Sequence, residues 1–165
     1  MKADVKYRRL PVRGNHNCFG CSPTNSAGLK MRFVTDGQAV YSRLAIPDHL
    51  CGWGNVVHGG ILCTVLDEVM GWTAIHLLKR FAITKSIAVE FLRPVYVGEE
   101  LTAEGRLAEI KGPRLAEIRG VITNSKGRIC SKAKAIFGLY TADEIRKLRV
   151  MEERILRSVE HLLED

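Results

Sequence analysis

The residues of this sequence that could carry chemistry lie together in residues 57–68, where two glycines precede an acidic pair. Gly59 and Gly60 stand where an apolar helix is predicted to start, so a ligand can approach the unpartnered backbone N–H groups of its first turn. With the positive end of the helix dipole, these groups could polarise a carbonyl oxygen. Asp67 follows two turns later, and a carboxylate in a buried helix is costly unless it has a partner or a task.

The small and polar residues of this helix are predicted to share one side. At about 100° per residue, a narrow stripe contains Gly60, Thr64, Asp67 and Gly71. The other positions are mostly large and apolar, so the stripe is expected to line a cavity or to face another backbone closely. Glu68 is rotated from the stripe by about 100°.

The elements that position these residues follow from the hydrophobic periodicity. Apolar residues recur every three or four positions from Gly59 to about Lys79, which predicts a largely buried helix. Alternation and turn residues predict strands at 29–34, 39–46, 83–91, 100–110, 114–123 and 128–140. Asp36-Gly37 is a favoured hairpin turn between the first two strands. The prediction is an α+β fold in which a curved antiparallel sheet wraps one helix.

The chain divides into three predicted parts. Residues 1–28 are rich in Gly, Asn, Pro and Ser, which indicates an irregular leader. Residues 29–140 form the domain itself. Residues 141–165 begin with the capping-box pattern Thr141-Ala-Asp-Glu144 and continue at helical spacing, which predicts a C-terminal amphipathic helix that packs on the domain or on a partner subunit.

Composition narrows the classes of function. A chain of 165 residues with 46% apolar content is enough for one domain. No apolar run is expected to reach the roughly 18 residues of a membrane span, and five cysteines without a disulfide pattern favour a reducing, cytoplasmic location. The net charge of +7 would suit a polyanion such as the phosphates of coenzyme A. Few aromatic residues lie among the basic ones, which argues against nucleic-acid binding.

The segment from His58 to Asp67 resembles the signature of the hot-dog thioesterases, in particular their phenylacetyl-CoA thioesterase-like branch, which is related to 4-hydroxybenzoyl-CoA thioesterase. In that branch, His-Gly-Gly precedes a helix that carries Asp or Glu. The similarity extends to residues 18–29, CFGCSPTNSAGL, and to residues 89–95, VEFLRPV, and it covers roughly residues 18–140. It implies a hot-dog fold and hydrolysis of an acyl-CoA thioester.

The resemblance also implies roles for individual residues. Asp67 would act as general base or nucleophile, and the N–H of Gly59 or Gly60 would hold the thioester carbonyl oxygen. Gly60 and Asp67 are about 10 Å apart along one helix, too far to contact one carbonyl. We therefore expect Asp67 of one subunit to work with the glycines of another, in a homodimer or homotetramer. No metal or organic cofactor is expected, since coenzyme A is part of the substrate.

The sequence departs from this family at two positions. Many relatives carry Asn or Gln six residues before the motif histidine, where this chain has Gly52, so Asn55 is the candidate amide for orienting water or the thioester. Gly71 stands where relatives have Thr or Ser one turn after the acid. These departures keep open an alternative function, a non-catalytic hot-dog module that binds acyl-CoA or a small ligand.

Other residues keep two interpretations each. His58 is expected at the helix entry in a structural role, with acid–base work as the alternative. Thr64 and Glu68 are candidates for substrate contact, with Glu68 also the reserve carboxylate. Trp53 and Trp72 could form the wall of an acyl pocket or fill the core.

The leader contains one further pair of candidate ligands. Cys18 and Cys21 form a single Cys-x-x-Cys with His16 nearby, but a zinc site normally needs two further well-spaced ligands. The expectation is a locally packed leader near the substrate entrance, without metal. Four basic residues could meet coenzyme A phosphates or simply solvate an outer face, namely Lys85, Arg93, Lys132 and Lys134.

Overall fold

The computed structural model describes residues 6–11 and 16–163 of the chain. A seven-stranded antiparallel sheet in the order β1-β2-β3-β5-β6-β7-β4 packs around one long helix, α1. The elements are β1 (Arg8–Arg9), β2 (Val34–Thr35), β3 (Ala39–Ala45), α1 (Gly59–Leu78), β4 (Phe81–Phe91), β5 (Glu100–Ile110), β6 (Leu115–Asn124), β7 (Ile129–Tyr140), α2 (Ala142–Leu148) and α3 (Glu153–Glu160). The predicted α+β architecture of a sheet around one helix is confirmed.

Helix α1 forms the centre of the core because one broad face of it is apolar. Its buried residues are Leu62, Val65, Leu66, Val69, Met70, Trp72, Thr73 and Ala74. This face meets the middle of the sheet at Gly105 on β5, where an added Cβ would collide with Thr73 Oγ1 and lie 2.9 Å from the Val69 carbonyl oxygen. Glycine at this position therefore lets the helix backbone approach the strand closely.

The expectation that no apolar segment is long enough to span a bilayer was wrong for α1. This helix has 20 residues and a mean hydropathy of 1.4 in its most apolar 18-residue window, which meets that criterion by length and composition. The core helix of a globular domain meets the same criterion. Here, packing against the sheet accounts for the apolar composition of α1.

The first predicted strand, residues 29–34, is much shorter in the structure. Only Val34–Thr35 pair as β2, whereas the N–H groups of Leu29 and Met31 donate to the carbonyls of Phe19 and Gly20. Lys30 between them has a φ of 53°, which interrupts an extended backbone. The leader predicted to be irregular also contains β1, which pairs with β2. The hairpin turn at Asp36-Gly37 is confirmed, with Gly37 at a φ of 88°.

The C-terminal helix predicted over residues 141–165 is divided into α2 and α3. Its start is confirmed, because Thr141 and Glu144 form both hydrogen bonds of a capping box. Helix α2 ends at Leu148, and its C-cap Arg149 has a left-handed φ of 53°. The break allows Arg146 to bind the carboxylates of Glu153 and Glu160 on α3. Apolar side chains of both helices and of the turn after α3 join the same core, as predicted, through Ile145, Leu156, Val159 and Leu162.

Candidate active site

Asp67 lies on the partly exposed side of α1 and faces strand β4. Its Oδ1 accepts a hydrogen bond of 2.7 Å from Thr84 Oγ1. Thr84 adjoins a register shift between Thr84 and Ser86 in the pairing of β4 with β7, and a bulge of this kind redirects the side chains beside it. Within the described part of the chain, Asp67 Oδ2 has no hydrogen bond. One carboxylate oxygen is therefore held in place while the other is available for chemistry.

The predicted polar stripe is the less buried side of α1. Gly60 is exposed, and Thr64, Asp67 and Gly71 are partly buried, in contrast to the buried apolar face. The Thr64 hydroxyl donates to the Gly60 carbonyl at 3.0 Å. A Cβ at Gly71 would lie 3.7 Å from the Phe137 ring, an ordinary contact. The stripe thus offers a carboxylate and small side chains to whatever covers this side of the helix.

His58 caps the start of α1. Its Nδ1 accepts the Gly60 N–H at 3.0 Å, and its carbonyl accepts the N–H of Ile61. The histidine has the structural position predicted for it at the helix entry, and it occupies one of the two glycine N–H groups proposed for the carbonyl oxygen. Gly59, by contrast, faces the ring of Phe91, whose Cζ would lie 3.4 Å from an added Cβ.

A groove of about 300 Å³ opens at the N-terminus of α1. It lies between the helix start and the end of β4, and its lining residues are Val56, Val57, Gly59, Leu62, Phe91, Leu92, Arg93, Pro94 and Val95. Arg93 is the charged member of this otherwise apolar set, and its guanidinium donates to the Ile129 carbonyl at 2.6 Å. The groove combines an apolar wall with one cation and the positive end of a helix.

Within one chain, the structure does not bring Asp67 into this groove. The two lie about two turns apart along α1, or roughly 10 Å. Between them, β4 forms the edge of the sheet and pairs with β7 on one side. Residues 85–88 of β4 are exposed, and Ile87 is among the exposed large apolar side chains. A long exposed edge strand of this kind is a template for pairing with another chain.

Glu68 points to the other side of α1, towards the leader. Burial, and next the neighbouring Cys18 sulfur, raise the pKa of Glu68 to about 7. Trp72 Nε1 donates to Glu68 Oε1 at 3.2 Å, and Cys18 Sγ lies 3.8 Å from both carboxylate oxygens. Glu68 therefore does not share the surroundings of Asp67, although the two residues are adjacent in sequence.

The Cys-x-x-Cys segment forms a tight turn against Glu68. The Cys21 thiol, and next the backbone N–H groups of Cys21 and Gly20, lower the pKa of Cys18 to about 5. The pKa of Cys21 is raised, because its thiol proton is held by Cys18 and because it is buried. The contact with Glu68 is not evident from the sequence, since only folding brings residues so distant in sequence together.

The remaining candidates are spread over the surface and the core. Asn55 is exposed, and its carbonyl accepts the Val97 N–H at 2.9 Å. Gly52 donates its N–H to Val56 in the same loop. The Trp53 side chain is 91% exposed and does not line the groove. Trp72 is a core residue that stacks on Phe33 with ring centroids 4.9 Å apart.

The basic residues on the strands have local partners. Lys132 pairs with Glu90 at 3.1 Å. Lys134 lies 3.6 Å from Glu117 on the neighbouring strand. Lys85 Nζ sits 5.6 Å from the centroid of the Tyr140 ring. Of the four basic candidates for phosphate contact, Arg93 is the one that lines the groove.

Comparison with known proteins supports the interpretation of this fold. Residues 54–131, close to half of the chain, match the sequence model of the thioesterase superfamily. The matched region contains α1 with Asp67, the groove and strands β4 to β6. A curated relative, Verlamelin biosynthesis protein B of Lecanicillium sp, is 27% identical, and the match covers 56% of this chain and 52% of that protein. The chain thus spans about half the length of this relative.

Three solved structures share the architecture. A thioesterase superfamily protein is 25% identical with a TM-score of 0.64, and the match covers 70% of this chain and 57% of that chain. The E. coli PaaI protein from the phenylacetic acid degradation operon is 17% identical with a TM-score of 0.62, over 68% and 81% of the two chains. A hypothetical thioesterase from Streptococcus pneumoniae TIGR4, solved with coenzyme A, is 19% identical with a TM-score of 0.59, over 81% and 85%.

The two kinds of comparison agree with the structure. The family match falls on the helix and strands that hold the candidate site, and the solved structures share the fold with TM-scores of 0.64 and 0.62. The fold predicted from the sequence, a hot-dog fold, is therefore confirmed, and residues 54–131 of the chain are similar to the thioesterase superfamily.

Proposed function

We propose that the protein hydrolyses an acyl-CoA thioester to the free acid and coenzyme A, with Asp67 as the catalytic carboxylate. The observation that carries this proposal is the hydrogen bond from Thr84 to Asp67 Oδ1. It fixes a carboxylate on the open side of the central helix and leaves its second oxygen available. A carboxylate with such a held geometry suits proton transfer or nucleophilic attack.

Two routes are open to Asp67 Oδ2. As a general base, it takes a proton from a water molecule whose oxygen attacks the thioester carbonyl carbon. As a nucleophile, it attacks that carbon itself, the C–S bond breaks, and water then hydrolyses the acyl anhydride. In both routes the sulfur of coenzyme A leaves as a thiolate and takes up a proton, and neither route requires a metal.

The second half of the site is the start of α1. Gly59 lines the groove, so its backbone N–H is the better candidate for the carbonyl oxygen than that of Gly60, which His58 already occupies. Because Asp67 and this turn are roughly 10 Å apart in one chain, the proposed site combines Asp67 of one subunit with Gly59 of another. Pairing of β4 with its copy across a homodimer would bring the two together.

The acyl-CoA substrate class follows from the groove and the charge of the protein. The groove offers an apolar wall for an acyl group, with Arg93 at its edge for a phosphate or carboxylate. The net charge of +7 favours binding of the anionic coenzyme A part of the substrate. The S. pneumoniae thioesterase, which shares the fold, was solved with coenzyme A.

The test is thiol release from aryl-, short-, medium- and long-chain acyl-CoAs by the wild-type protein and by Asp67→Asn. The asparagine amide oxygen can still accept from Thr84, so the fold should persist while kcat falls by about 10²–10⁴-fold or more. Asp48→Asn, at a highly exposed aspartate, is the matched control and should behave as wild type. Turnover that survives Asp67→Asn would refute the assignment.

A second function, non-catalytic binding of acyl-CoA, is favoured by the loop before α1. The resemblance implies an amide side chain where this chain has Gly52, and the candidate replacement, Asn55, is exposed in the loop. The same panel separates the two functions. Tight binding of acyl-CoA by the wild-type protein without thiol release, for every acyl class, would favour the binding module.

A further inference from the structure

A second cluster of reactive side chains lies on the side of α1 away from Asp67. The ligand atoms of His16, Cys18 and Cys21 all lie within 4.8 Å of one another. Both oxygens of the Glu68 carboxylate lie 3.8 Å from Cys18 Sγ, so Glu68 lies beside this group of three. Two thiols and one imidazole therefore converge next to a carboxylate, at a place that the proposed hydrolysis does not use.

The separation between Cys18 and Glu68 fits two ligands of a tetrahedral metal ion. With Zn–S bonds of about 2.3 Å and Zn–N or Zn–O bonds of about 2.0 Å, tetrahedral angles place neighbouring ligand atoms roughly 3.3–3.8 Å apart. The separation of 3.8 Å between Cys18 Sγ and the Glu68 oxygens matches this range. His16 Nδ1 accepts the Cys18 N–H at 3.2 Å, so a turn of the imidazole ring would exchange this bond for a metal bond.

Gly20 makes room for the fourth group. A Cβ at this position would collide with the Glu68 carboxylate and lie 2.5 Å from its Cδ. Any other residue at this position would push the carboxylate away from the cysteines.

The Glu68 carboxylate would be stabilised by a nearby cation. Glu68 is partly buried, and no Lys or Arg among residues 6–11 and 16–163 forms an ion pair with it. A carboxylate removed from water is costly unless it is paired, hydrogen-bonded or bound to a metal. Its polar neighbours in the described residues are the Trp72 N–H and the Cys18 sulfur.

We propose that His16, Cys18, Cys21 and Glu68 bind one Zn²⁺ ion, which fastens the leader to the central helix. Thiolate and imidazole ligands select zinc over the oxygen-seeking Mg²⁺ and Ca²⁺. Four protein ligands make a closed, structural site. The ion would hold the α1 turn next to Asp67 against the leader without contacting the substrate, so this proposal does not depend on the thioesterase reaction.

The test measures metal directly on the 165-residue chain, prepared without chelators. Elemental analysis should find one zinc ion per chain. Co²⁺ replacing zinc should give a thiolate-to-cobalt charge-transfer band and tetrahedral visible bands. Zinc should also protect two of the five cysteines from alkylation. A chelator should lower Tm, because loss of a ligand bound to the native state destabilises that state.

Variants identify the ligands. Cys21→Ser and Glu68→Gln should each weaken Zn²⁺ binding at least about tenfold, and Gly20→Ala should do the same by displacing the carboxylate. Cys51→Ser, at an exposed cysteine outside the cluster, is the matched control and should retain the metal. If Cys21→Ser fails to fold, the cobalt spectrum and the alkylation pattern of the wild-type protein still decide the matter.

Three results would overturn the proposal. The first is a wild-type protein that neither contains zinc nor gives the charge-transfer band with Co²⁺. The second is a Cys18–Cys21 disulfide, seen as the loss of two hydrogens in the mass of the freshly purified protein. The third is unchanged zinc affinity in Glu68→Gln, which would remove Glu68 from the ligand set and with it the closed site.

Discussion

Replacing Thr84 by valine tests whether the position of Asp67 matters for turnover. Thr84→Val keeps the shape of the side chain but removes the hydroxyl that donates to Asp67 Oδ1 at 2.7 Å. A hydrogen bond to a charged group contributes about 1.5–3 kcal/mol when it forms. Thr84 and Asp67 are only partly buried, so water can replace part of this bond, and the lower end of the range applies.

A loss of about 1.5 kcal/mol corresponds to a fall of roughly tenfold in rate. If Thr84 orients the carboxylate and does not touch the substrate, kcat falls by this factor and KM stays nearly constant. The free energy of unfolding should fall by about 1 kcal/mol, since a partly buried carboxylate loses a partner. Thr84→Ser retains the hydroxyl and should recover most of the wild-type kcat.

The assay is steady-state thiol release with the best acyl-CoA of the panel, together with thermal unfolding of each variant. Two results would contradict this role of Thr84. A wild-type kcat in Thr84→Val, alongside an inactive Asp67→Asn, would show that the hydrogen bond does not position the carboxylate. Equal losses in Thr84→Ser and Thr84→Val would assign the effect to packing at the β4 bulge instead of to the hydroxyl.

Three further predictions concern stability. Gly105→Ala should destabilise the fold by about 1–3 kcal/mol through overpacking against α1, as measured by denaturant unfolding. An unchanged denaturant midpoint in this variant would contradict the close approach of Gly105 to Val69. Thr141→Ala should lower the free energy of unfolding by about 1 kcal/mol, because it removes the capping box. Thr141→Ser keeps the capping hydroxyl, so an equal loss of stability in both variants would argue against capping as the cause. In metal-free protein, Glu68 binds its proton more tightly when folded, so unfolding free energy should fall as pH rises from the ordinary glutamate pKa towards the raised value of about 7. The Glu68→Gln variant, treated with the same chelator, should lose this pH dependence when its thermal unfolding is measured over the same pH range. If stability changes equally with pH in both proteins, Glu68 is not the source.

The elements with strong local periodicity were predicted closely. The helix expected from Gly59 to about Lys79 is Gly59–Leu78, and the strand expected at 100–110 is Glu100–Ile110. Each of these segments buries one face, so the spacing of its apolar residues predicts which positions are buried. The stripe that contains Asp67 followed from the same reasoning, because helical geometry alone determines which residues share a side.

The errors lie where backbone conformation or long-range pairing decides the structure. The expected strand at 29–34 fails because Leu29 and Met31 bond to the cysteine turn instead of to a neighbouring strand. The C-terminal helix breaks at Arg149, where ion pairs of Arg146 across the bend favour two helices over one. Neither partner set could be deduced from local propensity.

Local spacing was enough to predict the central helix, the positions of the main strands along the chain and the side of the helix on which Asp67 lies. Which groups meet these residues depends on the tertiary fold. Thr84 reaches Asp67 from an edge strand beside a bulge, and Glu68 meets Cys18 from the leader. Contacts between residues far apart in sequence depend on strand register and on the docking of loops, and no local pattern encodes either of them.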